Sequence, residues 1–267
     1  MTFHFSYDKL KTGGKKMSKR ESVEFIPEVS KTETERSRDI TLLLKFGRHA
    51  KHEEDKVIPE EFERLREIGG KLEFPAKAYT SFKKRAIETG EKITEAAPGN
   101  LKTRTRLELS PRFRAYPELI QIMKERGYEV FFEEILNNRP EVRADVASGI
   151  AARIEHCRKL AKRLKSGSKY SLVNVSHDLD LACFLKECLV RETKEGEIKG
   201  FEDIKEIGGL LDAAEFFELK LNLDKESKEE LSFKFDNPER LSDVKCKLDI
   251  ERVEELAQLF KEKHREK

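Results

Sequence analysis

Apolar runs of two different periods alternate along this chain, and the alternation limits its fold more than any other feature. Residues 40–46, ITLLLKF, form a short and nearly continuous apolar run closed by Gly47, the pattern of a central strand buried on both faces. Pro59 suits a first helical position, Phe62, Leu65 and Ile68 recur at threes, and Gly69-Gly70 mark a stop, so a helix is expected between them. AKAYTS (76–81) reads as a second strand. Phe82, Ala86, Ile93 and Ala97 place one apolar face on a following helix that Pro98-Gly99 ends. Residues 101–110 are ambiguous, with TRTRLEL a candidate strand. Pro117–Arg126 reads as helix, with Leu119, Ile120 and Met123 inward and Gly127 as its stop. Glu141–Leu164 carries the longest stripe: Val142, Val146, Ile150, Ile154, Cys157, Leu160 and Leu164 step by three or four. YSLVNVS (170–176) then reads as a buried strand, and LDLACFLKECLV as the helix after it. Phe217, Leu219, Leu221 and Leu223 alternate with polar residues, as do Leu231, Phe233 and Phe235, which predicts an antiparallel pair. Glu251–Lys263 reads as a closing helix.

Strands alternating with helices imply an α/β fold, a three-layer α/β/α sandwich whose sheet is mostly parallel with an antiparallel edge. The sequence shows no internal repeat and no linker beyond residue 40, so residues 39–267 are expected to form a single domain, with 110–165 as a helical insertion or lid. Residues 1–38 are polar, with Gly13-Gly14 and the basic cluster Lys15, Lys16, Lys19 and Arg20, and read as a mobile arm. Charged residues make up 40% of the 267, yet 54 Lys+Arg against 52 Asp+Glu leave a net charge of only +2. That balance argues against a nucleic-acid partner, which calls for concentrated basic excess. No apolar run approaches the ~20 residues of a membrane helix, and the first residues lack the apolar core of a signal peptide, so neither membrane nor secretion is expected. Cys157, Cys183, Cys188 and Cys246 form no CxxC pair and are read as reduced thiols of a cytoplasmic protein.

In open α/β sheets, ligands bind beyond the carboxyl ends of the strands. Three strand ends here carry reactive side chains. The first runs into Arg48-His49-Ala50. The second runs into Ser81-x-x-x-Arg85-Ala86-x-x-Thr89. The strand 170–176 runs into Ser176-His177-Asp178. An Arg-His pair or a lone His after a strand is common by chance; three such ends in one chain are not.

With these residues the chain resembles the histidine phosphatase superfamily and its phosphoglycerate mutase-like fold, over about residues 40–240. RHA at 48–50 is similar to the superfamily's first signature, SFKKRAIET at 81–89 to its second, and VSHD at 175–178 to its third. The resemblance implies a metal-independent hydrolysis of a phosphomonoester, with His49 as nucleophile, forming a phosphohistidine, and Arg48, Arg85 and His177 as donors to the phosphate oxygens. It implies no cofactor and no metal, and a phosphorylated small molecule or phosphoprotein as substrate. The chemistry suits the residue types. An imidazole is neutral near pH 7 and basic enough to attack, and the planar guanidinium fork matches phosphate. Within the same fold the alternatives are a phosphomutase or a non-catalytic phosphate-binding scaffold.

A general acid must protonate the leaving oxygen. By resemblance the positional match is Glu108 in RLELS. Asp178, next to His177, is the rival, since the acid-phosphatase and phytase branch uses such a His-Asp pair; Glu118 is a third candidate. The chain departs from the superfamily in several places: Ala50 replaces the usual glycine, and KHEEDKVIPEE follows the first signature in a chain without Trp, which disfavours mutase activity. His49-x-x-His52 with Glu53, Glu54 and Asp55 is not a zinc spacing and reads as a solvated pocket rim, and His156 reads as structural.

Overall fold

The computed structural model describes residues 38–99 and 101–265. Along the chain come β1 (Ile40–Arg48), the two-stranded hairpin β2 (His52–Glu53) and β3 (Lys56–Val57), α1 (Phe62–Gly70), β4 (Ala76–Thr80), α2 (Lys84–Ala96) and β5 (Leu101–Thr105). Short 3-10 turns at 107–109 and 112–115 lead to α3 (Pro117–Arg126), α4 (Tyr128–Glu133) and α5 (Pro140–Ala161). The rest is β6 (Lys169–Ser176), α6 (Asp178–Cys188), β7 (Leu189–Thr193), β8 (Gly196–Lys199), β9 (Phe216–Leu223), β10 (Glu229–Phe235), β11 (Lys245–Leu248) and α7 (Ile250–Arg265). The polar stretch 1–37 lies outside the described residues.

Six strands form one sheet in the order β10-β9-β1-β6-β4-β5. β1, β6, β4 and β5 run parallel, while β9 pairs antiparallel with β1 and β10 with β9. This is the mostly parallel sheet with an antiparallel edge that the pattern of apolar runs implied. Its two faces carry different helices. Leu65 of α1 and Ala86 and Ile93 of α2 pack with Ala76, Ala78, Val173 and Val175 on one face. On the other, Val146, Ile150 and Ile154 of α5 and Leu181 and Phe184 of α6 pack with Leu42, Leu44 and Phe46. Phe217 stacks with Phe46, Phe184 and Phe233 at centroid distances of 5.5, 6.1 and 5.3 Å, so phenylalanine fills the place that tryptophan often takes in a core.

Some elements differ from the sequence reading. TRTRLEL divides: β5 ends at Thr105, and Leu107–Leu109 form a 3-10 turn in which the Arg106 amide donates to Thr80 O at 2.7 Å. The helix expected from Pro59 starts as a 3-10 turn and becomes α-helical at Phe62. The helix after β6 stops at Cys188, and its last two expected residues, Leu189 and Val190, open β7. β7 belongs to a second, three-stranded sheet, β11-β7-β8, whose short polar strands have no clean alternation to reveal them. Among the described residues the four cysteines are free, and no helix is long and apolar enough to cross a membrane.

Candidate active site

The parallel register brings three strand ends side by side. Arg48 of β1 stands opposite Ser176 of β6, and Thr80 of β4 opposite Val175. At ~4.8 Å between neighbouring strands, the next residues of each chain segment, His49, His177 and Ser81, fall within ~10 Å of one another. Gly47 is needed where β1 approaches β9: a Cβ there would overlap the Phe216 ring and the Glu215 carbonyl. The turn after β1 is pinned from both sides. The His49 amide donates to Ser176 O at 3.2 Å, the Ala50 amide to Thr89 Oγ1 at 3.0 Å, and the Ala214 amide to His49 O at 3.3 Å.

His49 is only 5% exposed. Its Nδ1 lies 2.9 Å from the Ala50 carbonyl, which can only accept, so Nδ1 carries the hydrogen and Nε2 is left with its lone pair. Arg85 Nε donates to that Nε2 at 2.8 Å. Burial lowers the His49 pKa to about 4; the bond to Ala50 opposes this, and the charges of Arg85, His52 and Arg48 add to it. His49 is therefore a neutral imidazole whose unprotonated Nε2 accepts from Arg85. His177 is 4% exposed, with its Nε2 2.9 Å from Ser81 Oγ and its ring 5.2 Å from that of His49. Burial, then coupling to the neighbouring His49 and the cations Arg85, Lys83 and Arg114, holds its pKa well below the ordinary value.

Both arginines reach the same place. Arg85 stands on the first turn of α2 and uses Nε for His49 and Nη1 for Asp55 Oδ1 at 2.7 Å; its Nη2 has no partner among the described residues. Arg48 reaches Leu211 O through Nη1 at 3.3 Å and Asp178 Oδ2 through Nη2 at 3.2 Å, and its Nε is buried with no partner among the described residues. Around the mouth stand Lys83 and Arg114, neither with a side-chain acceptor among the described residues. Cations and neutral imidazoles converging beyond the strand ends form a cradle for a small polyanion.

Four of the five residues read from the sequence as catalytic, His49, Arg48, Arg85 and His177, are brought together here. Glu108 is placed otherwise. It sits in the 107–109 turn against Gly149 of α5, and its charge bears on His156 and Cys157, about two turns further along that helix. No hydrogen bond ties its carboxylate to His49, His177, Arg48 or Arg85. Glu118 is exposed on the first turn of α3. Asp178, at the start of α6, touches Arg48 directly. The loop read as a pocket rim forms the β2–β3 hairpin, held to α2 by the Val57 amide donating to Glu88 Oε2 at 2.7 Å. It supplies two residues whose place the sequence did not reveal: Asp55, which fixes Arg85, and His52, whose ring meets that of His49 edge-on at 4.8 Å. Tyr128 of α4 was also missed; its hydroxyl donates to Asp178 Oδ1 at 2.9 Å, across fifty residues of sequence.

No protein-family model matches the chain, and no curated protein matches it either. Solved structures do resemble it. The mycobacterial glucosyl-3-phosphoglycerate phosphatase is 15% identical with a TM-score of 0.44, covering 73% of this chain and 97% of its own. The protein histidine phosphatase SixA is 12% identical with a TM-score of 0.36, covering 71% and 94%. The phytase of Hafnia alvei is 9% identical with a TM-score of 0.38, covering 75% and 84%. At such identities and scores a likeness says nothing about chemistry, which has to come from the side chains themselves.

Proposed function

We propose that this chain is a histidine phosphatase that hydrolyses a phosphomonoester through a phosphohistidine on His49. The observation that carries the proposal is the His49 ring: its Nδ1 hydrogen is committed to Ala50 O, and its unprotonated Nε2 lies in the grip of Arg85 beside His177. In the resting site Arg85 Nε occupies that lone pair; when Arg85 turns to the phosphate oxygens, Nε2 is released to attack phosphorus. In the first step Nε2 attacks phosphorus, the ester P–O bond breaks, and the leaving oxygen takes a proton. In the second, water attacks the phosphohistidine, the P–N bond breaks, and His49 returns to its neutral form. Arg85, Arg48 and His177 bind the equatorial phosphoryl oxygens, where charge is spread in the transition state. His49, Arg48, Arg85 and His177 supply nucleophile and clamp from side chains alone, with no step requiring a metal.

The proton is assigned to Asp178 in preference to Glu108. Asp178 already contacts a clamp residue, and Arg48 Nη2 has two hydrogens, so it can hold Asp178 and a phosphate oxygen together and bring the carboxyl beside the bound ester. Breakdown of the phosphohistidine uses the same residue, now as base.

A phosphatase assay with p-nitrophenyl phosphate, in buffer containing EDTA, tests the proposal. Turnover that survives EDTA and disappears in folded His49→Ala is the expected result. Turnover abolished by EDTA, or retained by His49→Ala, would overturn it. A panel of phosphorylated sugars, nucleotides and phosphopeptides then identifies the substrate.

A further inference from the structure

Asp178 is held asymmetrically. Its Oδ1 accepts from the Tyr128 hydroxyl at 2.9 Å and from the Leu179 amide at 2.9 Å. Its Oδ2 faces Arg48 Nη2 at 3.2 Å and has no other partner among the described residues. An oxygen that already accepts two hydrogen bonds is a poor seat for a proton, because the added hydrogen would face two donors. When the carboxyl is protonated, the hydrogen therefore resides on Oδ2, the oxygen directed at Arg48 and the phosphate cradle.

Tyr128 is what completes this arrangement. It opens α4 directly after Gly127, whose φ of +88° turns the chain so that the new helix starts toward the site. Its ring packs on Phe131 and Phe132 at 5.8 and 6.0 Å, and although the residue is 41% exposed its hydroxyl is turned inward to Asp178. Burial, followed by the charge of Asp178, raises the phenol pKa, so Tyr128 remains a donor at neutral pH.

We propose that Tyr128 is a positioning residue for proton transfer, holding Asp178 so that its acidic hydrogen lies on Oδ2 and points at the leaving oxygen of the bound ester. The proposal rests on the reading of Asp178 as the general acid.

Leaving-group dependence tests it. An alkyl phosphate such as β-glycerophosphate needs its leaving oxygen protonated, whereas p-nitrophenolate hardly does. The full chain and its Tyr128→Phe and Asp178→Asn variants are assayed on both substrates, with orthovanadate inhibition as the measure of an intact cradle. Tyr128→Phe keeps the ring and removes only the hydroxyl. It should lower kcat/KM on β-glycerophosphate about tenfold, in keeping with loss of one hydrogen bond to a charged group. It should leave vanadate inhibition and kcat/KM on p-nitrophenyl phosphate within about twofold, since kcat/KM reports formation of the phosphohistidine and not its breakdown, and the cradle is untouched. Asp178→Asn should show the same selectivity more strongly. If Asp178→Asn is selective and Tyr128→Phe behaves as the parent, the proposal fails while the acid assignment stands. If Tyr128→Phe slows both substrates equally, the hydroxyl is merely structural and the proposal fails. If Asp178→Asn shows no selectivity, the acid assignment fails and the proposal with it.

Discussion

Replacing His49 with asparagine should make the fold less sensitive to acid, and the size of the effect follows from burial. His49 is 5% exposed, and burial, aided by Arg85, His52 and Arg48 and opposed by the Ala50 bond, lowers its pKa from 6.5 to about 4. In the unfolded chain the same side chain takes up a proton below 6.5. Between the two values the unfolded state binds more protons than the folded one, so stability rises with pH and is lost as pH falls from 6.5 toward 4. The full difference corresponds to about 3 kcal/mol, of which about 2 kcal/mol is lost by pH 5. His177, His156 and His52 are also lowered, and burial is the largest cause in each. In the variant His177 loses the lowering that His49 adds, so the comparison of the two reads His49 together with that coupling. Urea unfolding followed by circular dichroism at pH 7.5 and at pH 5 is the assay. The parent should lose about 2 kcal/mol more than His49→Asn between the two conditions. Equal losses would mean that His49 is not held neutral, and the argument for an unprotonated Nε2 would fall with it.

Other substitutions test the rest of the site. Arg85→Lys keeps the charge and removes the fork, and should cost about 2–4 kcal/mol in kcat/KM, because lysine cannot serve His49 and two phosphate oxygens from one plane; an unchanged kcat/KM would place Arg85 outside the chemistry. Glu108→Gln should leave the ratio of rates on β-glycerophosphate and p-nitrophenyl phosphate unchanged, since its carboxylate faces α5; a selective loss on β-glycerophosphate would return the acid role to Glu108. Asp55→Asn removes the anion 2.7 Å from Arg85 Nη1 and should weaken orthovanadate inhibition several-fold without a change in thermal midpoint beyond a few degrees; unaltered inhibition would show that Arg85 holds its place without Asp55.

The parts of the molecule that were legible in the sequence are those whose signal is local. ITLLLKF and YSLVNVS are continuous apolar runs, and both became central strands; alternation at 216–223 and 229–235 became the antiparallel edge. His49, Arg85 and His177 were found because each lies one to five residues past a strand end, and strand ends are where open sheets bind ligands. Asp55 and Tyr128 could not be found in this way. Asp55 sits in a run of charges in which every residue resembles its neighbours, and only the hairpin with a φ of +68° at Asp55 directs it to Arg85. Tyr128 meets Asp178 solely through the packing of the 110–138 segment over the sheet, which no spacing encodes. Glu108 was singled out by its place after the second signature, but position along the chain does not fix which way a side chain leaves a 3-10 turn.

The central claim is a phosphoryl group carried on His49, and trapping it is the most direct measurement. The purified chain is mixed with p-nitrophenyl phosphate and quenched in alkali within milliseconds, since phosphohistidine survives base and is lost in acid, and the peptides are mapped by mass spectrometry. A phosphate on His49 that forms within one turnover, decays as substrate is exhausted and is missing from His49→Ala is the predicted result. Steady turnover with His49 unmodified at every time point, or phosphate on a different side chain, would contradict the account.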